Sequence, residues 1–139
     1  MNNKNISVLI VDDNDMTREV LRVVLRSEGY NVVGDASDGG SGLEMAIKLN
    51  PQIILLDVVM PKIGGLEILP KMKEALPNAM ILMVTANKDQ ATVTEAVKAG
   101  IHGYIVKPFN SQRVIDAVAG VVEKIRKQSA SSENTSGDV

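Results

Sequence analysis

The stretch that decides the fold is Val8-Leu9-Ile10-Val11-Asp12-Asp13-Asn14-Asp15, or VLIVDDND, where an apolar run meets three carboxylates within four positions. An unbroken apolar run of this kind predicts a strand that is buried on both faces. Carboxylates often follow such a strand because they cap the next helix and favour its N-terminus. Asn14 or Asp15 alone can cap that helix, so Asp12 and Asp13 are available for another role.

The composition predicts one soluble globular domain, because 45% of the 139 residues are hydrophobic, 23% are charged and the net charge is −2. This charge provides no attraction to nucleic acid. The chain contains no cysteine, which excludes disulfides, thiolate metal sites and cysteine nucleophiles. No apolar run reaches the length of a signal-peptide core or a membrane span. We therefore expect a cytoplasmic protein with no membrane insertion and no direct nucleic-acid partner.

Five short apolar runs alternate with longer segments of helical period, which is typical of βα units repeated around a parallel sheet. The runs cover residues 6–11, 31–36, 52–57, 79–84 and 103–106. Several of them lack polar alternation, which indicates that helices cover both faces of the sheet. The pattern predicts an α/β fold with a doubly wound parallel sheet.

The first predicted helix has an apolar face and a basic stripe. The apolar face is made by Met16, Val20, Val23 and Val24, and Gly29 is placed to end the helix. The stripe is made by Arg18, Arg22 and Arg26, which we interpret as a solvent-exposed face.

Four further helices are predicted, at about residues 40–49, 65–76, 88–99 and 110–127. Pro70 lies inside the third of these and predicts a late start or a kink, because proline lacks the N–H that a helix needs. Residues 128–139 are polar and mostly small, which predicts a disordered tail. The folded domain is therefore expected to span residues 1–127.

Polar side chains stand at the ends of four of the five predicted strands. They are Asp12 and Asp13, Asp57, Thr85 and Lys107. Ligands of doubly wound sheets bind outside the carboxyl ends of the strands, near the point where strand order reverses. With the strand order 2-1-3-4-5, the first and third strands are neighbours, so their carboxylates converge in one crevice.

These residue types fit phosphoryl chemistry. Clustered carboxylates repel one another, and Mg²⁺ relieves the repulsion because it prefers oxygen ligands and also accepts a phosphate oxygen. Asp57 is best placed as the nucleophile, since a carboxylate can accept a phosphoryl group as an acyl phosphate. Lys107 can pair with a phosphate oxygen, and the Thr85 hydroxyl can donate one hydrogen bond that draws its loop inward.

Each residue alone has a simpler explanation. The acids and Thr85 could be helix caps or turn residues, and Lys107 could be a solvated lysine. A haloacid-dehalogenase-like phosphohydrolase also combines an aspartate nucleophile, Mg²⁺, threonine and lysine. Such enzymes carry a D-x-D pattern after the first strand and a substrate-capping domain for which this chain has no room. A flavin or nucleotide-binding module would want a glycine-rich or hydroxyl-rich loop where this chain has three acids.

Four motifs together resemble the receiver domain of two-component response regulators: IVDDND (10–15), LLDVVMPKIGGLE (55–67), MVTA (83–86) and GYIVKPF (103–109). The match in order and length runs from about Ile6 to Lys127. The resemblance implies a flavodoxin-like (βα)5 sandwich with the strand order 2-1-3-4-5. It also implies a phosphorylation-activated signalling switch rather than an enzyme, with self-catalysed phosphorylation and dephosphorylation.

The resemblance assigns roles to individual residues. Asp57 matches the phosphoacceptor, and Asp12 and Asp13 match the acidic pair that binds Mg²⁺. Asp13 would be a direct ligand, Asp12 would act largely through water, and Val59 would supply a backbone carbonyl.

A second set of residues matches the switch. Thr85 and Lys107 match the switch hydroxyl and the phosphate-binding lysine, and Tyr104 matches the switch aromatic. Movement of Thr85 toward a phosphoryl group would open space into which the Tyr104 ring can rotate. The alternative is that Tyr104 is a half-buried tyrosine of the last strand. The Lys107-Pro108 step matches one that is usually cis in the family.

The implied partners are a sensor histidine kinase or a histidine phosphotransfer protein as donor, and a downstream protein that binds the face of the fourth helix, fifth strand and fifth helix. We interpret the chain as a stand-alone receiver without an output domain; the alternative is a receiver fragment of a larger response regulator or hybrid kinase. His102, the only histidine, falls in a predicted loop at the opposite end of the sheet, where a surface role is expected.

Overall fold

The computed structural model describes residues 5–58, 64–86 and 90–137. Its strands are β1 (Ser7–Val11), β2 (Asn31–Ala36), β3 (Ile53–Asp57), β4 (Met80–Thr85) and β5 (Gly103–Val106). They form one parallel sheet in the order β2-β1-β3-β4-β5. The predicted fold class and strand order are confirmed, and each strand begins and ends within one residue of its predicted run.

The helices are α1 (Asp15–Ser27), α2 (Gly39–Leu49), α3 (Gly65–Ala75), α4 (Gln90–Lys98) and α5 (Ser111–Gly137). Asn14 caps α1, since its side chain accepts the Thr17 N–H at 2.8 Å. Gly29, at φ 87°, follows the end of α1 as predicted. In the described part of the chain no helix combines the length and apolar character that crossing a bilayer requires.

Helices cover both faces of the sheet. One apolar cluster joins the sheet to α1 and α5, and a second joins it to α2 and α3. Alternate residues of β1 enter the two clusters: Val8 and Ile10 pack in the first, Leu9 and Val11 in the second. This double burial explains why the first strand is apolar without interruption.

The α2 helix lies very close to β1 because its buried face is made of small residues. A Cβ atom at Gly42 would lie only 2.7 Å from Cγ1 of Val11, the residue that precedes Asp12. The absence of a side chain at Gly42 therefore lets α2 pack directly beneath the end of β1.

The buried face of α1 differs from the predicted one. Leu21, Val24 and Leu25 are buried, whereas the other residues of the predicted face, Met16, Val20 and Val23, are 75%, 40% and 57% exposed. Leu21 and Leu25 pack in the cluster that α1 shares with α5, and this contact sets the rotation of the helix. Only Val24 of the predicted face belongs to the core.

Two helix ends also differ from the predictions. The α3 helix begins at Gly65, so the predicted late start at Pro70 is wrong; Pro70 is exposed while Ile68, Leu69 and Met72 bury the opposite side. The α5 helix continues past Lys127 to Gly137, through most of the segment expected to be disordered. The sequence has no proline or glycine between these two residues that would end the helix.

Candidate functional site

The carboxyl ends of β1 and β3 bring three acids together. Val11 pairs with Leu56, so Asp12 and Asp57 leave the sheet side by side. One carboxylate oxygen from each of Asp12, Asp13 and Asp57 lies within 4.8 Å of the others. Asp12 and Asp57 are 1% and 3% exposed, whereas Asp13 faces solvent. The structure thus places the three acids predicted from the sequence in one cluster.

Three atoms of Asp12 are held by neighbouring groups. Its backbone N–H donates to the Ala36 carbonyl at 3.0 Å, and its Oδ1 accepts a hydrogen bond from the Asn14 N–H at 2.9 Å. Its carbonyl oxygen accepts a hydrogen bond from Nη1 of Arg18 at 2.7 Å. Its Oδ2 is buried and lies 3.0 Å from Nζ of Lys107, an ion pair without the alignment of a hydrogen bond. Oδ2 is therefore the atom that Asp12 presents to the cluster.

Lys107 enters the cluster from the end of β5. Its Nζ lies 3.0 Å from Oδ2 of Asp12 and 3.3 Å from Oδ2 of Asp57. Burial acts to lower the pKa of Lys107, but the carboxylates of Asp12 and Asp57 outweigh burial and raise it. The amine is therefore charged at neutral pH. The Lys107–Pro108 peptide is cis, as the resemblance implies.

Thr85 and Tyr104 lie on the adjoining strands. Thr85 ends β4 and is fully buried, and its carbonyl accepts the Lys107 N–H at 2.7 Å. Tyr104 of β5 pairs with Met83 of β4, and it is 49% exposed. With Arg113 and Asp116 it lines a surface cleft of about 420 Å³ between β5 and α5.

One predicted site residue cannot be placed. Val59, expected to supply a carbonyl ligand, lies outside the described residues. Its role stays a prediction.

The basic stripe of α1 is not a solvent-exposed face, contrary to the interpretation from sequence. Side chains of Arg18 and Arg22 are only 13% and 24% exposed, and both pair with Asp35 of β2; Arg26 alone is exposed. Sequence analysis missed Asp35 as a partner. The available signal was the four-residue spacing of the arginines together with an acid near the end of the second apolar run.

His102 lies at the opposite end of the sheet, as predicted, but it is partly buried rather than a surface residue. Its ring Nδ1 accepts the Ile81 N–H at 3.1 Å, and its backbone N–H donates to the Ile81 carbonyl at 2.7 Å. Burial, and then the charges of Lys73 and Lys124, lower the pKa of His102. His102 is therefore a neutral residue that ties the start of β5 to β4.

The acidic cluster fits Mg²⁺ on its own chemistry. Its ligand atoms are carboxylate oxygens, which a hard divalent cation prefers. The buried Oδ2 of Asp12 faces into the cluster without a hydrogen bond, so it can ligate a cation. The exposed carboxylate of Asp13 keeps one side open to water, and Mg²⁺ usually retains several waters.

The fold and the site define a class: a doubly wound protein of five βα units whose strand ends present an acidic cluster and a lysine. The chain matches the response regulator receiver domain over residues 8–119 and belongs to that family. Receiver domains are regulators of two-component systems rather than enzymes in the usual sense, and they bind Mg²⁺ at such an acidic cluster.

Known relatives differ in how much of their length the chain matches. The chemotaxis protein CheY of Thermotoga maritima is 39% identical over 111 residues, which cover 80% of this chain and 92% of that protein. The transcriptional regulatory protein DegU of Brevibacillus brevis is 32% identical over 124 residues, which cover 88% of this chain but 52% of DegU. The match thus spans nearly all of one relative and about half of the other.

A solved structure supports the same fold. In the complex of CheX and CheY with BeF3 and Mg²⁺ from Borrelia burgdorferi, the matched chain has a TM-score of 0.80 and 32% sequence identity. The alignment covers 84% of this chain and 89% of that chain. The predicted flavodoxin-like architecture is confirmed by this likeness.

Proposed function

We propose that this chain accepts a phosphoryl group on Asp57 and responds by changing its partner-binding surface. The observation that carries the proposal is the position of Lys107 Nζ, 3.0 Å from Asp12 and 3.3 Å from Asp57. Acids alone would repel a phosphoryl group. A charged lysine among them provides a partner for its oxygens, and phosphoryl transfer depends mainly on such positioning and charge neutralisation.

Asp57 acts as the nucleophile of the transfer. One of its carboxylate oxygens bonds to the phosphorus of a phosphohistidine donor while the P–N bond breaks, and the imidazole leaves with the bonding electrons and takes a proton. The product is an acyl phosphate on Asp57, with Lys107 paired to a phosphoryl oxygen. In a separate hydrolysis step, water attacks the phosphorus and the P–O bond to Asp57 breaks. The carboxylate is restored, and inorganic phosphate leaves with the oxygen and protons of the water; this step accounts for self-catalysed dephosphorylation.

Asp12, Asp13 and Asp57, together with the backbone carbonyl of Val59, are the residues that would hold Mg²⁺. Bound Mg²⁺ supplies charge neutralisation for the acids and a ligand position for a phosphoryl oxygen. Two observations support this assignment. Oδ2 of Asp12 is buried, and one carboxylate oxygen from each of the three acids lies within 4.8 Å of the others.

Thr85 and Tyr104 connect the acceptor to the surface. The Thr85 hydroxyl moves toward the phosphoryl group to donate a hydrogen bond, and the Tyr104 ring turns inward into the space that this movement opens. Tyr104 is half exposed beside the 420 Å³ cleft at β5 and α5, so rotation of its ring changes the shape of that cleft. A downstream protein binds the face of α4, β5 and α5.

The donor is a sensor histidine kinase or a histidine phosphotransfer protein in the cytoplasm. Exposed Met16 and Val20 of α1 border the acceptor site, and with Lys107 and Phe109 they line a shallow cleft of about 240 Å³. An exposed apolar surface beside the acceptor offers the donor protein a place to pack.

The receiver unit comprises residues 1–127. The match to 92% of the Thermotoga CheY protein supports a unit that can act through protein contact alone. A receiver within a longer regulator, as the match to 52% of DegU illustrates, is the alternative.

Phosphorylation from a small-molecule donor tests the central claim. The chain is incubated with Mg²⁺ and acetyl phosphate, and intact mass is followed for the chain, for Asp57→Asn and for Asp116→Asn, which changes an exposed aspartate of α5. We expect one phosphoryl group on the chain and on Asp116→Asn, and none on Asp57→Asn. No gain on the unaltered chain, or equal gain on Asp57→Asn, would end the claim. Continuous multiple-turnover release of phosphate from phosphomonoesters would instead favour a phosphohydrolase.

Hydrogen exchange tests the proposed output face. Amide exchange is compared with and without BeF3 and Mg²⁺, and Asp57→Asn serves as the control. We expect a change in α4, β5 and α5 of the unaltered chain that the variant lacks. A change restricted to α2 and α3 would place the responding surface elsewhere.

A further inference from the structure

We infer that Arg18 is a positioning residue for the acidic pair, which it orients through the peptide that joins Asp12 to Asp13; this inference rests on the proposed function. Nη1 of Arg18 donates to the Asp12 carbonyl oxygen at 2.7 Å. That carbonyl belongs to the peptide between the two acids. Holding its direction therefore constrains ψ of Asp12 and φ of Asp13, and with them the backbone positions from which both carboxylates extend.

Arg18 is itself fixed by ion pairs. Its Nη2 donates to Asp15 and its Nε lies 3.5 Å from Oδ1 of Asp35, so each guanidinium nitrogen has a different partner. Asp35 also pairs with Arg22, one turn further along α1. A planar fork held at three nitrogens cannot turn freely, and a flexible ammonium could not reproduce it.

These contacts tie Asp12 to β2 in two ways. Its N–H donates directly to the Ala36 carbonyl, and its carbonyl is linked through Arg18 to Asp35. Because Oδ1 accepts the Asn14 N–H, Oδ2 is the carboxylate oxygen directed toward Lys107. Arg18 and the Ala36 carbonyl thus hold the backbone of Asp12, from which the carboxylate extends toward Lys107 and the cluster.

A positioning role and a purely electrostatic role predict opposite signs. If Arg18 acted only through its charge, removing that charge would strengthen Mg²⁺ binding, because a guanidinium repels a cation. If Arg18 orients the acids, removing it weakens binding. Loss of a group that orients metal ligands typically lowers metal affinity by about 10- to 100-fold.

The test compares Arg18→Met with Arg22→Met by calorimetric titration of the full chain with Mg²⁺. Both changes keep an apolar stem and remove one positive charge and one partner of Asp35, but only Arg18 contacts Asp12. We expect Arg18→Met to weaken Mg²⁺ binding by about tenfold, and Arg22→Met to leave it unchanged within about twofold. Urea unfolding without Mg²⁺ measures the stability of each variant separately.

Arg18→Lys keeps the charge and provides a second variant if Arg18→Met does not fold. We expect affinity between that of the unaltered chain and Arg18→Met, since one amine cannot contact both the Asp12 carbonyl and Asp35 with a fork geometry. Unchanged or tighter Mg²⁺ binding in the Arg18 variants overturns the inference. Equal weakening in the Arg18 and Arg22 variants overturns it too, because the effect would then belong to Asp35.

The readout separates this inference from the proposed function. Mg²⁺ affinity is measured on the unphosphorylated chain, so it does not depend on whether Asp57 accepts a phosphoryl group. If acetyl phosphate fails to modify the unaltered chain, the proposed function fails while the Arg18 effect on Mg²⁺ still stands or falls by its own measurement. Absence of Mg²⁺ binding by the unaltered chain overturns both.

Discussion

The two ends of the parallel sheet are built from different chemistry. At the carboxyl end, Lys107 forms ion pairs with Asp12 and Asp57 and offsets part of their negative charge, and all three side chains have little exposure to solvent. At the amino end, neutral groups bond to the backbone: Gln52 Oε1 accepts the Ser7 N–H at 3.1 Å, and His102 Nδ1 accepts the Ile81 N–H at 3.1 Å. The carboxyl end is thus held by ion pairs, whereas Gln52 and His102 at the amino end accept hydrogen bonds from the backbone as neutral side chains.

The difference teaches where stability and function lie. The amino end satisfies its backbone groups within the chain and needs no ligand. The carboxyl end keeps one oxygen from each of three carboxylates within 4.8 Å of the others, an arrangement that lowers stability until a cation joins it. Substitutions of the charged side chains in the cluster should therefore change Mg²⁺ binding and stability in opposite directions, whereas those at the amino end should change stability alone.

The largest effect is expected from Lys107→Met, which leaves two buried carboxylates without their cationic partner. Without Mg²⁺, we expect the free energy of unfolding to fall by about 3 kcal/mol. Mg²⁺ binding should strengthen by about tenfold, because a competing positive charge is removed. Urea unfolding in chelator and calorimetric titration measure the two effects.

The matched control for Lys107→Met is Lys124→Met at the amino end. Lys124 is an exposed lysine whose Nζ donates to the His102 carbonyl at 2.6 Å. We expect a loss under about 1 kcal/mol and no change in Mg²⁺ affinity. Equal losses in the two variants would remove the distinction between the two ends.

The next effect concerns the packing that supports the end of β1. In Gly42→Ala the new Cβ would lie 2.7 and 2.8 Å from the two Cγ atoms of Val11, so α2 must move outward. We expect a loss of about 2 kcal/mol from overpacking. Gly120→Ala is the control, because a Cβ there has nothing within 4 Å; it should stabilise α5 by about 1 kcal/mol. Thermal or urea unfolding measures the stability of both variants. An unchanged stability of Gly42→Ala would show that α2 and Val11 move apart at little cost.

Asp13→Asn tests the opposition of stability and function most directly. Removing one of three like charges should raise the free energy of unfolding in chelator by about 1 kcal/mol, a small gain because Asp13 is exposed. Mg²⁺ affinity should fall by at least about tenfold, since a ligand is lost. Lower stability with unchanged Mg²⁺ affinity would return Asp13 to a helix-capping role.

Much of the fold and of the acidic cluster could be predicted from the sequence. Apolar runs mark the five strands, and the topology of parallel sheets places all their carboxyl ends on one edge. The residues at those ends, Asp12, Asp57, Thr85 and Lys107, therefore required no knowledge of side-chain packing. Predicting which face of α1 is buried did require knowledge of side-chain packing, because Met16, Val20 and Val23 are as apolar as the residues that are buried.

The Arg18–Asp35 contact depends on a feature that residue patterns do not reveal. The pairing of β1 with β2 shifts by one residue between Val8 and Leu9, so that Asp35 pairs with Ile10. A one-residue shift moves every following side chain to the other face of the sheet. Asp35 thereby shares the side of Ile10, which packs against α1, and reaches Arg18. Without that shift the arginines would have stayed a solvent-exposed stripe, as the sequence alone suggested.

The smallest effect is a pH dependence at the amino end, which arises from His102. The Ile81 N–H needs an unprotonated Nδ1 on His102, and burial together with Lys73 and Lys124 lowers the pKa of His102 in the folded chain. A group whose pKa is lower in the folded than in the unfolded state binds more protons when unfolded. Its contribution to stability is therefore complete above the unfolded pKa of about 6.5 and decreases as the pH falls below that value.

His102→Asn isolates this contribution, because asparagine can accept the same N–H but does not titrate in this range. Urea unfolding of both chains in chelator between neutral and mildly acidic pH should show a steeper loss of stability for the unaltered chain. Acetyl phosphate modification at neutral pH should be the same for both, since His102 lies at the far end of the sheet from Asp57. Parallel pH profiles would show that His102 does not titrate on unfolding. A change in phosphorylation would show that the two ends of the sheet are energetically coupled rather than independent.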